Sequence, residues 1–256
     1  MKAHKIVKAG LIGYPLGHSF SKGYFTSRFE KESLPDYEYR NFEINDIRDL
    51  KDVVKNNKDL IGLNVTIPYK QSVMDYLDDI SGEADKIGAV NTIVIRRRGN
   101  DVWMSGHNTD HIGFEKTLEQ VLSVDPAGAL ILGTGGASKA VRYVLDKRGI
   151  KYYFVSRDPG QGQLSYREIN GRLIKEFPLI INTSPVGMFP HVNEKPEIPY
   201  SDIGPDNCLI DLIYNPEKTK FLEGGERAGA KTINGLTMLI EQAEASWKLW
   251  TSNDHS

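Results

Sequence analysis

The chain has 256 residues, a formal net charge of −2 and a single cysteine, Cys208. Its length allows one large or two modest domains with buried cores. The charge argues against a nucleic-acid partner, one cysteine excludes an intramolecular disulfide, and no apolar run is long enough to span a membrane. The first residues lack the apolar segment of a secretory signal, so we expect a cytoplasmic protein without a membrane partner.

In the N-terminal part of the chain, short apolar strands alternate with amphipathic helices, which predicts an α/β domain with its own core. The predicted strands lie at residues 9–13, 37–42, 61–65, 89–95 and 101–106. The predicted helices lie at residues 21–31, 46–56 and 70–77. The last two strands flank a basic run, Arg96–Arg98, and the turn residues after it, which indicates an exposed hairpin.

A helix predicted over residues 110–122 leads into a second α/β region. Its predicted strands lie at residues 130–132, 152–155, 179–181 and 208–213, and its predicted helices at 139–145 and 237–250. These strands are almost wholly apolar, as expected for parallel strands that are buried on both faces.

The first strand of this region ends in Gly133-Thr134-Gly135-Gly136-Ala137-Ser138, and a helix follows directly. Glycine permits a tight turn and lets a phosphate approach bare backbone, while a helix start offers unpaired N–H groups. The segment therefore predicts a dinucleotide site formed by Gly133, Gly135, Gly136, Ala137 and Ser138. Ser138 replaces the third glycine of G-x-G-x-x-G, so an ordinary strand-to-helix turn is the alternative interpretation.

The residues after the second strand of this region bear on the choice of cofactor. An acidic residue at this point usually accepts hydrogen bonds from the adenosine ribose of NAD, whereas an arginine suits the 2′-phosphate of NADP. Here the strand runs out into Ser156 and Arg157, which favours NADP, and Asp158 follows one residue further on. The alternative is that Arg157 is simply a solvated arginine in a loop.

Polar clusters follow several of the predicted strands. Each of them, taken singly, has an ordinary explanation as a helix cap or a solvated side chain. The clusters are Gly17–Ser21, Asn64–Lys70, Gly88–Thr92 and Gly106–Asp110. No cluster of His, Cys and carboxylates has the spacing of a metal site, so we expect no metal.

Together, these clusters and the glycine turn make the chain resemble the shikimate dehydrogenase family over nearly its whole length. The resemblance is carried, in order, by Gly13–Ser21, Asn64–Lys70, Gly88–Thr92, Asn108–Asp110, Gly133–Ser138, Asn182–Met188, Asp211–Pro216 and Asn234–Ala243. The chain departs from the family pattern at Lys22, where proline is common, and at His111, where glycine is usual.

The resemblance implies two α/β domains. Residues 1–106, joined by a C-terminal helix at 236–256, would form a substrate-binding domain, and residues 107–235 a Rossmann-type NADP-binding domain. The family reduces 3-dehydroshikimate to shikimate with NADPH, reversibly, in aromatic amino-acid biosynthesis. We therefore expect a small-molecule substrate, shikimate or 3-dehydroshikimate, and a monomer or homodimer.

The resemblance also implies roles for individual residues. Lys70 and Asp110 would form the catalytic pair. The two serines of the first motif would bind the substrate carboxylate and Tyr214 would line the pocket. The full set of substrate-binding residues would be Ser19, Ser21, Thr66, Asn91, Tyr214 and Gln242. The nicotinamide would lie near Met188, Leu212, Gly235 and Met238.

Other functions fit the same pattern. One is a quinate/shikimate dehydrogenase with relaxed substrate or NAD use. Another is a non-catalytic NADP- or shikimate-binding regulator, against which the intact Lys70 and Asp110 count. A relative of the bifunctional folate dehydrogenase/cyclohydrolases is disfavoured by the paired serines and by the Asn108-Thr109-Asp110 motif.

Overall fold

The structure is a computed structural model, and it describes residues 6–17 and 20–252. The chain divides into two compact units. The first comprises Met1–Thr109 and Ala243–Ser256, and the second Asp110–Gln242. Both combine helices with a β-sheet, so the prediction of an α/β fold is confirmed.

The first unit contains a mixed sheet. Its elements are β1 (Val7–Gly13), α1 (Phe20–Lys31), β2 (Tyr37–Glu43), α2 (Leu50–Asn56), β3 (Leu60–Val65), β4 (Asp79–Ile80), α3 (Gly82–Ile87), β5 (Thr92–Arg98) and β6 (Asp101–His107). The strand order is β2-β1-β3-β5-β6-β4. Strands β1, β2 and β3 are parallel, whereas β5 and β6 form the predicted antiparallel hairpin.

The second unit contains a parallel sheet. Its elements are α4 (Asp110–Val121), β7 (Gly128–Leu132), α5 (Gly136–Arg148), β8 (Lys151–Ser156), β9 (Leu164–Ser165), α6 (Gly171–Glu176), β10 (Leu179–Asn182), β11 (Cys208–Asp211), α7 (Lys220–Arg227), β12 (Lys231–Ile233) and the first part of α8 (Leu236–Thr251). The strand order is β12-β11-β10-β7-β8-β9, and every pair of neighbours is parallel. Numbered from β7, this is the 6-5-4-1-2-3 order of a doubly wound Rossmann sheet.

The second part of α8 packs into the first unit. The indole Nε1 of Trp250 donates a hydrogen bond of 3.0 Å to the carbonyl of Ile93. A Cβ at Gly62 on β3 would collide with this indole ring, so glycine is required there for the close approach. Glu244 pairs with Arg28 and Tyr24 on α1. These contacts attach the end of the chain to the sheet formed by its beginning.

Several predicted elements have different bounds or a different type. The helix expected at 70–77 is a short 3-10 helix, Ser72–Tyr76, and the one at 46–56 is a 3-10 turn, Ile47–Asp49, followed by α2. The strand expected at 208–213 ends at Asp211, because the carboxylate of Asp211 accepts from the backbone N–H of Ile213 and turns the chain. No helix in the described part of the chain is both long and apolar enough to cross a membrane.

Candidate active site

The glycine turn lies at the carboxyl end of β7. Gly133 has φ +111°, which favours glycine, and a Cβ there would meet Thr183 Oγ1 at 3.0 Å. Helix α5 begins at Gly136, with Gly135 as its N-cap in extended conformation. Gly135 has no side chain to occupy the first N–H groups of the helix, so these groups suit the pyrophosphate of a dinucleotide.

Ser138 stabilises the start of this helix. Its side chain is buried, and the hydroxyl donates a hydrogen bond of 2.6 Å to the carbonyl of Gly135. The surface available to a phosphate is therefore formed by backbone around Gly135, Gly136 and Ala137. A serine at the position of the third motif glycine is compatible with this arrangement.

The turn also lies at the switch point of the parallel sheet. Strand β7 has β8 on one side and β10 on the other, and dinucleotides bind in the crevice outside the carboxyl ends at such a point. Thr183, which follows β10, donates a hydrogen bond of 2.9 Å to the carbonyl of Leu132. This contact joins the glycine turn to the loop that carries Met188, whose side chain is exposed.

The end of β8 presents Arg157 to solvent. The hydroxyl of Ser156 donates to the carbonyl of Asp158 at 3.2 Å and accepts from its backbone N–H at 3.3 Å. These bonds hold the turn that displays the Arg157 side chain. Burial raises the pKa of Tyr166, and the charge of Arg157 acts in the opposite direction. An exposed guanidinium on a structured turn suits a 2′-phosphate.

Leu212, Gly235 and Met238 belong to segments that meet in the second unit. A Cβ at Gly235 would collide with the backbone of Leu212, and the N–H of Gly235 donates to the carbonyl of Ile213 at 3.0 Å. Helix α8 starts directly after Gly235, and the carbonyl of Met238 lies against Gly113 on α4. Of the nicotinamide positions that the resemblance suggests, Leu212 and Gly235 are thus in direct backbone contact, and Met238 packs against α4.

The carboxylate of Asp211 is a buried charge that the sequence reasoning did not assign. It accepts hydrogen bonds from Thr219 Oγ1 at 2.6 Å, Asn182 Nδ2 at 3.0 Å and the N–H of Ile213 at 3.1 Å. Burial raises its pKa to about 6, against the effect of these three donors. The feature of the sequence that could have revealed this residue is an acidic side chain at the end of an apolar strand, followed by a polar motif.

In the first unit, Thr66 and Lys70 follow β3 and are both half-buried. The N–H of Thr66 donates to the carbonyl of Ile12 at 3.0 Å, and the N–H of Tyr69 donates to the carbonyl of Thr66 at 2.9 Å. The carbonyl of Lys70 accepts from the N–H of Val90 at 2.7 Å. The backbone of Lys70 is therefore fixed to the segment that contains Asn91.

Asn91 fixes the backbone immediately before Asp110. Its Oδ1 accepts from the N–H of Thr109 at 2.7 Å, and its Nδ2 donates to Thr109 Oγ1 at 3.0 Å. Asn108 donates to the carbonyl of Ala89 at 2.9 Å. Asp110 is the first residue of α4 and is buried.

Ser21 belongs to a buried chain of hydrogen bonds. It hydrogen-bonds to the hydroxyl of Tyr39, which donates to Oδ1 of Asn64 at 2.8 Å. Asn64 Nδ2 in turn donates to Ser246 Oγ at 3.0 Å, and Ser246 lies 3.2 Å from Thr109 Oγ1. Ser19, the other predicted carboxylate ligand, lies outside the described residues.

The two remaining predicted substrate residues lie in the second unit. Tyr214 follows β11 and is half-buried, and this burial raises the pKa of its phenol. Gln242, on α8, is buried, and its Nε2 donates to the carbonyl of Leu239 at 2.9 Å. Among residues 6–17 and 20–252, no group of three or more His, Cys, Asp and Glu is placed to hold a metal ion.

Comparison with known proteins agrees with this description. A family model of the shikimate dehydrogenase substrate binding domain matches residues 11–93. The curated shikimate dehydrogenase (NADP(+)) of Methanococcus maripaludis strain S2 is 40% identical over 259 residues, which cover 94% of this chain and 91% of the relative.

Solved structures show the same fold. A shikimate dehydrogenase crystallised in complex with NADP+ matches with a TM-score of 0.85 at 34% identity, covering 98% of this chain and 92% of that one. Quinate dehydrogenase from Corynebacterium glutamicum in complex with NAD matches with a TM-score of 0.84 at 28% identity, covering 96% and 94%.

A doubly wound sheet with a glycine turn at its switch point, together with a second α/β unit, defines a two-domain dinucleotide-dependent oxidoreductase. The sequence match over nearly the whole chain identifies the family within this class. The chain belongs to the shikimate dehydrogenase family.

Proposed function

We propose that this chain is an NADP-dependent shikimate dehydrogenase, which catalyses the reversible reduction of 3-dehydroshikimate to shikimate. The observation that carries the proposal is the presence of Lys70 and Asp110 on backbone held by Val90 and Asn91, in a family member whose glycine turn leads directly into a helix. A binding protein that had lost turnover would not need both groups.

The backbone amides of the glycine turn and the exposed Arg157 fit NADP, which supplies or accepts the hydride when bound. As hydride reaches the carbonyl carbon, negative charge develops on the carbonyl oxygen and needs a cation or a proton donor. We assign this role to the Nζ of Lys70. Asp110 would orient the ammonium group and bind the substrate hydroxyl beside it.

The remaining residues would bind and orient the substrate. Ser19 and Ser21 would donate hydrogen bonds to its carboxylate, and the contact between Ser21 and Tyr39 supports a fixed orientation for the second hydroxyl. Tyr214 would line the pocket. The ring hydroxyls would be held by Thr66, Asn91, Asp110 and Gln242.

The nicotinamide would lie near Met188, Leu212, Gly235 and Met238. Residues 1–106 with 236–256 would form the substrate-binding domain, and residues 107–235 the NADP-binding domain. We further propose that the enzyme acts in the cytoplasm as a monomer or homodimer. Light scattering of the purified protein measures its mass in solution and so distinguishes a monomer from a homodimer.

Two observations favour a second candidate, a quinate/shikimate dehydrogenase with relaxed substrate or NAD use. Asp158 follows Arg157 directly, and a fold neighbour is a quinate dehydrogenase in complex with NAD. Parallel assays with shikimate and quinate, each with NADP+ and NAD+, separate the two functions. We expect the highest kcat/KM for shikimate with NADP+. A higher value for quinate or for NAD+ would favour the second candidate.

A further inference from the structure

Asp211 is the last residue of β11, at the carboxyl end of the parallel strands, where ligands bind in folds of this class. Its side chain is fully buried. Its carboxylate collects donors from three separate places: Asn182 at the end of β10, Ile213 just beyond β11, and Thr219, the N-cap of α7. A carboxylate is an acceptor only, with room for several donors, which suits this convergence.

Asn182, the register partner of Asp211, extends the network into the neighbouring loop. Its Oδ1 accepts from the N–H and the hydroxyl of Ser184 at 3.1 Å and 2.7 Å, and its Nδ2 also donates to the carbonyl of Val186 at 3.3 Å. The pair therefore shapes both the loop after β10, which leads to Met188, and the loop after β11.

A buried charge at the end of a strand is energetically unfavourable. Burial of a carboxylate costs free energy that its hydrogen bonds must offset. At the other end of β11, the neutral Asn207 also joins neighbouring segments. Its side chain accepts from the N–H of Gly204 at 2.8 Å and donates to the carbonyl of Ile174 at 3.2 Å. Both ends of β11 are therefore joined to neighbouring segments by hydrogen bonds, and Asp211 does this at the end where the cofactor would bind.

We propose that Asp211 is a positioning residue for the nicotinamide half of the NADP site. It acts through the loops after β10 and β11, which carry Met188 and Leu212, and it does not touch the cofactor itself. This inference rests on the proposed function, because that function assigns the nicotinamide to these loops.

The test compares the binding of the whole cofactor with the binding of its adenosine half. NADP+ and adenosine 2′,5′-bisphosphate, which lacks the nicotinamide half, are titrated by calorimetry into the wild type and into Asp211→Ala. We expect Asp211→Ala to weaken NADP+ binding by about 10-fold or more, the consequence of losing hydrogen bonds to a charged group. Binding of the bisphosphate should change by less than about twofold.

Two further variants separate positioning from general stability. Asn207→Ala removes a buried polar side chain from the opposite end of the same strand, so it should lower the melting temperature without changing the affinity for NADP+. Asp211→Asn should restore NADP+ affinity to within about threefold of wild type, because its Oδ1 accepts as before and its Nδ2 donates to Thr219 Oγ1.

If Asp211→Ala does not fold, Thr219→Val removes one donor of the network and is expected to weaken NADP+ by about threefold or more. Equal weakening of NADP+ and the bisphosphate, or an equal effect of Asn207→Ala, would overturn the inference. Because binding is measured without turnover, an inactive wild type would count against the proposed function and leave this test intact.

Discussion

Oδ1 of Asn91 accepts a hydrogen bond of 2.7 Å from the backbone N–H of Thr109, the residue directly before Asp110. The same amide donates to Thr109 Oγ1, so the Asn91 side chain contacts both the backbone and the side chain of Thr109. Asn91 also follows Val90, whose N–H donates to the carbonyl of Lys70. The Asn91 side chain therefore fixes the backbone directly before Asp110, and its neighbour Val90 fixes the backbone of Lys70.

Asn91→Ala should therefore lower kcat as well as raise KM for shikimate. Loss of two buried hydrogen bonds is expected to destabilise the protein by about 1–3 kcal/mol and to lower kcat by about 10-fold or more. Steady-state kinetics and urea unfolding measure the two effects. Asn57→Ala, which removes a cap on α2, is the matched control and should leave kcat unchanged. A rise in KM alone would show that Asn91 only binds substrate.

Lys70→Ala should reduce kcat by about 10²–10⁴-fold, with a much smaller change in KM, because the ammonium group matters most as the carbonyl oxygen becomes negative. Lys55→Ala removes an exposed lysine of the same unit and should have no effect. Asp110→Asn should impair both kcat and KM. A near-normal kcat for Lys70→Ala would show that another group supplies the proton.

Arg157→Ala should weaken NADP+ binding by about 1.5–3 kcal/mol and leave NAD+ binding nearly unchanged, since only NADP+ has the 2′-phosphate. The dissociation constants of both cofactors are the required measurement. Arg227→Ala, an exposed arginine of α7, is the control. Equal losses for the two cofactors would show that Arg157 does not bind the phosphate.

Asp211 should also make stability depend on pH in a defined direction. Burial raises its pKa from 3.8 to about 6, so the folded state binds this proton more tightly than the unfolded state. Protonation of Asp211 therefore stabilises the folded state. This contribution to the free energy of unfolding is fully present below pH 3.8 and is lost as the pH rises through about 6.

Asp211→Asn removes this titration and keeps the three contacts, with the hydrogen bond to Thr219 Oγ1 now donated by the asparagine Nδ2. Its free energy of unfolding should exceed that of the wild type by an amount that grows between about pH 4 and pH 8, to about 3 kcal/mol for a shift of this size. Urea unfolding of both proteins at several pH values tests this. A difference that stays constant with pH would mean that the pKa of Asp211 is not raised.

The sequence predicts those features of the fold that depend on local pattern. Apolar strands and the glycine turn around Gly135 are visible because each follows from residue type and spacing. Short elements such as α3 and α6 were missed, since six residues give too little periodicity. The 3-10 helix at Ser72–Tyr76 has the composition of an α-helix, and only its tertiary setting determines the tighter winding.

The residues of the candidate site follow from the resemblance one by one and stay predictions, whereas the contacts that support them could not be predicted from the sequence. The hydroxyl of Ser138 and the carboxylate of Asp211 look alike in the sequence, as polar groups at motif positions. The structure shows that the first is paired with its own helix start and the second joins three segments. Pairing of this kind depends on which strands are neighbours, which a single sequence does not state.

The proposed reaction is tested by incubating the purified wild-type protein with shikimate and NADP+ and following the absorbance of NADPH, with and without a metal chelator. We expect NADPH formation that requires shikimate, is faster with NADP+ than with NAD+, and is unaffected by the chelator. No NADPH formation from shikimate, or activity that the chelator abolishes and zinc restores, would contradict it.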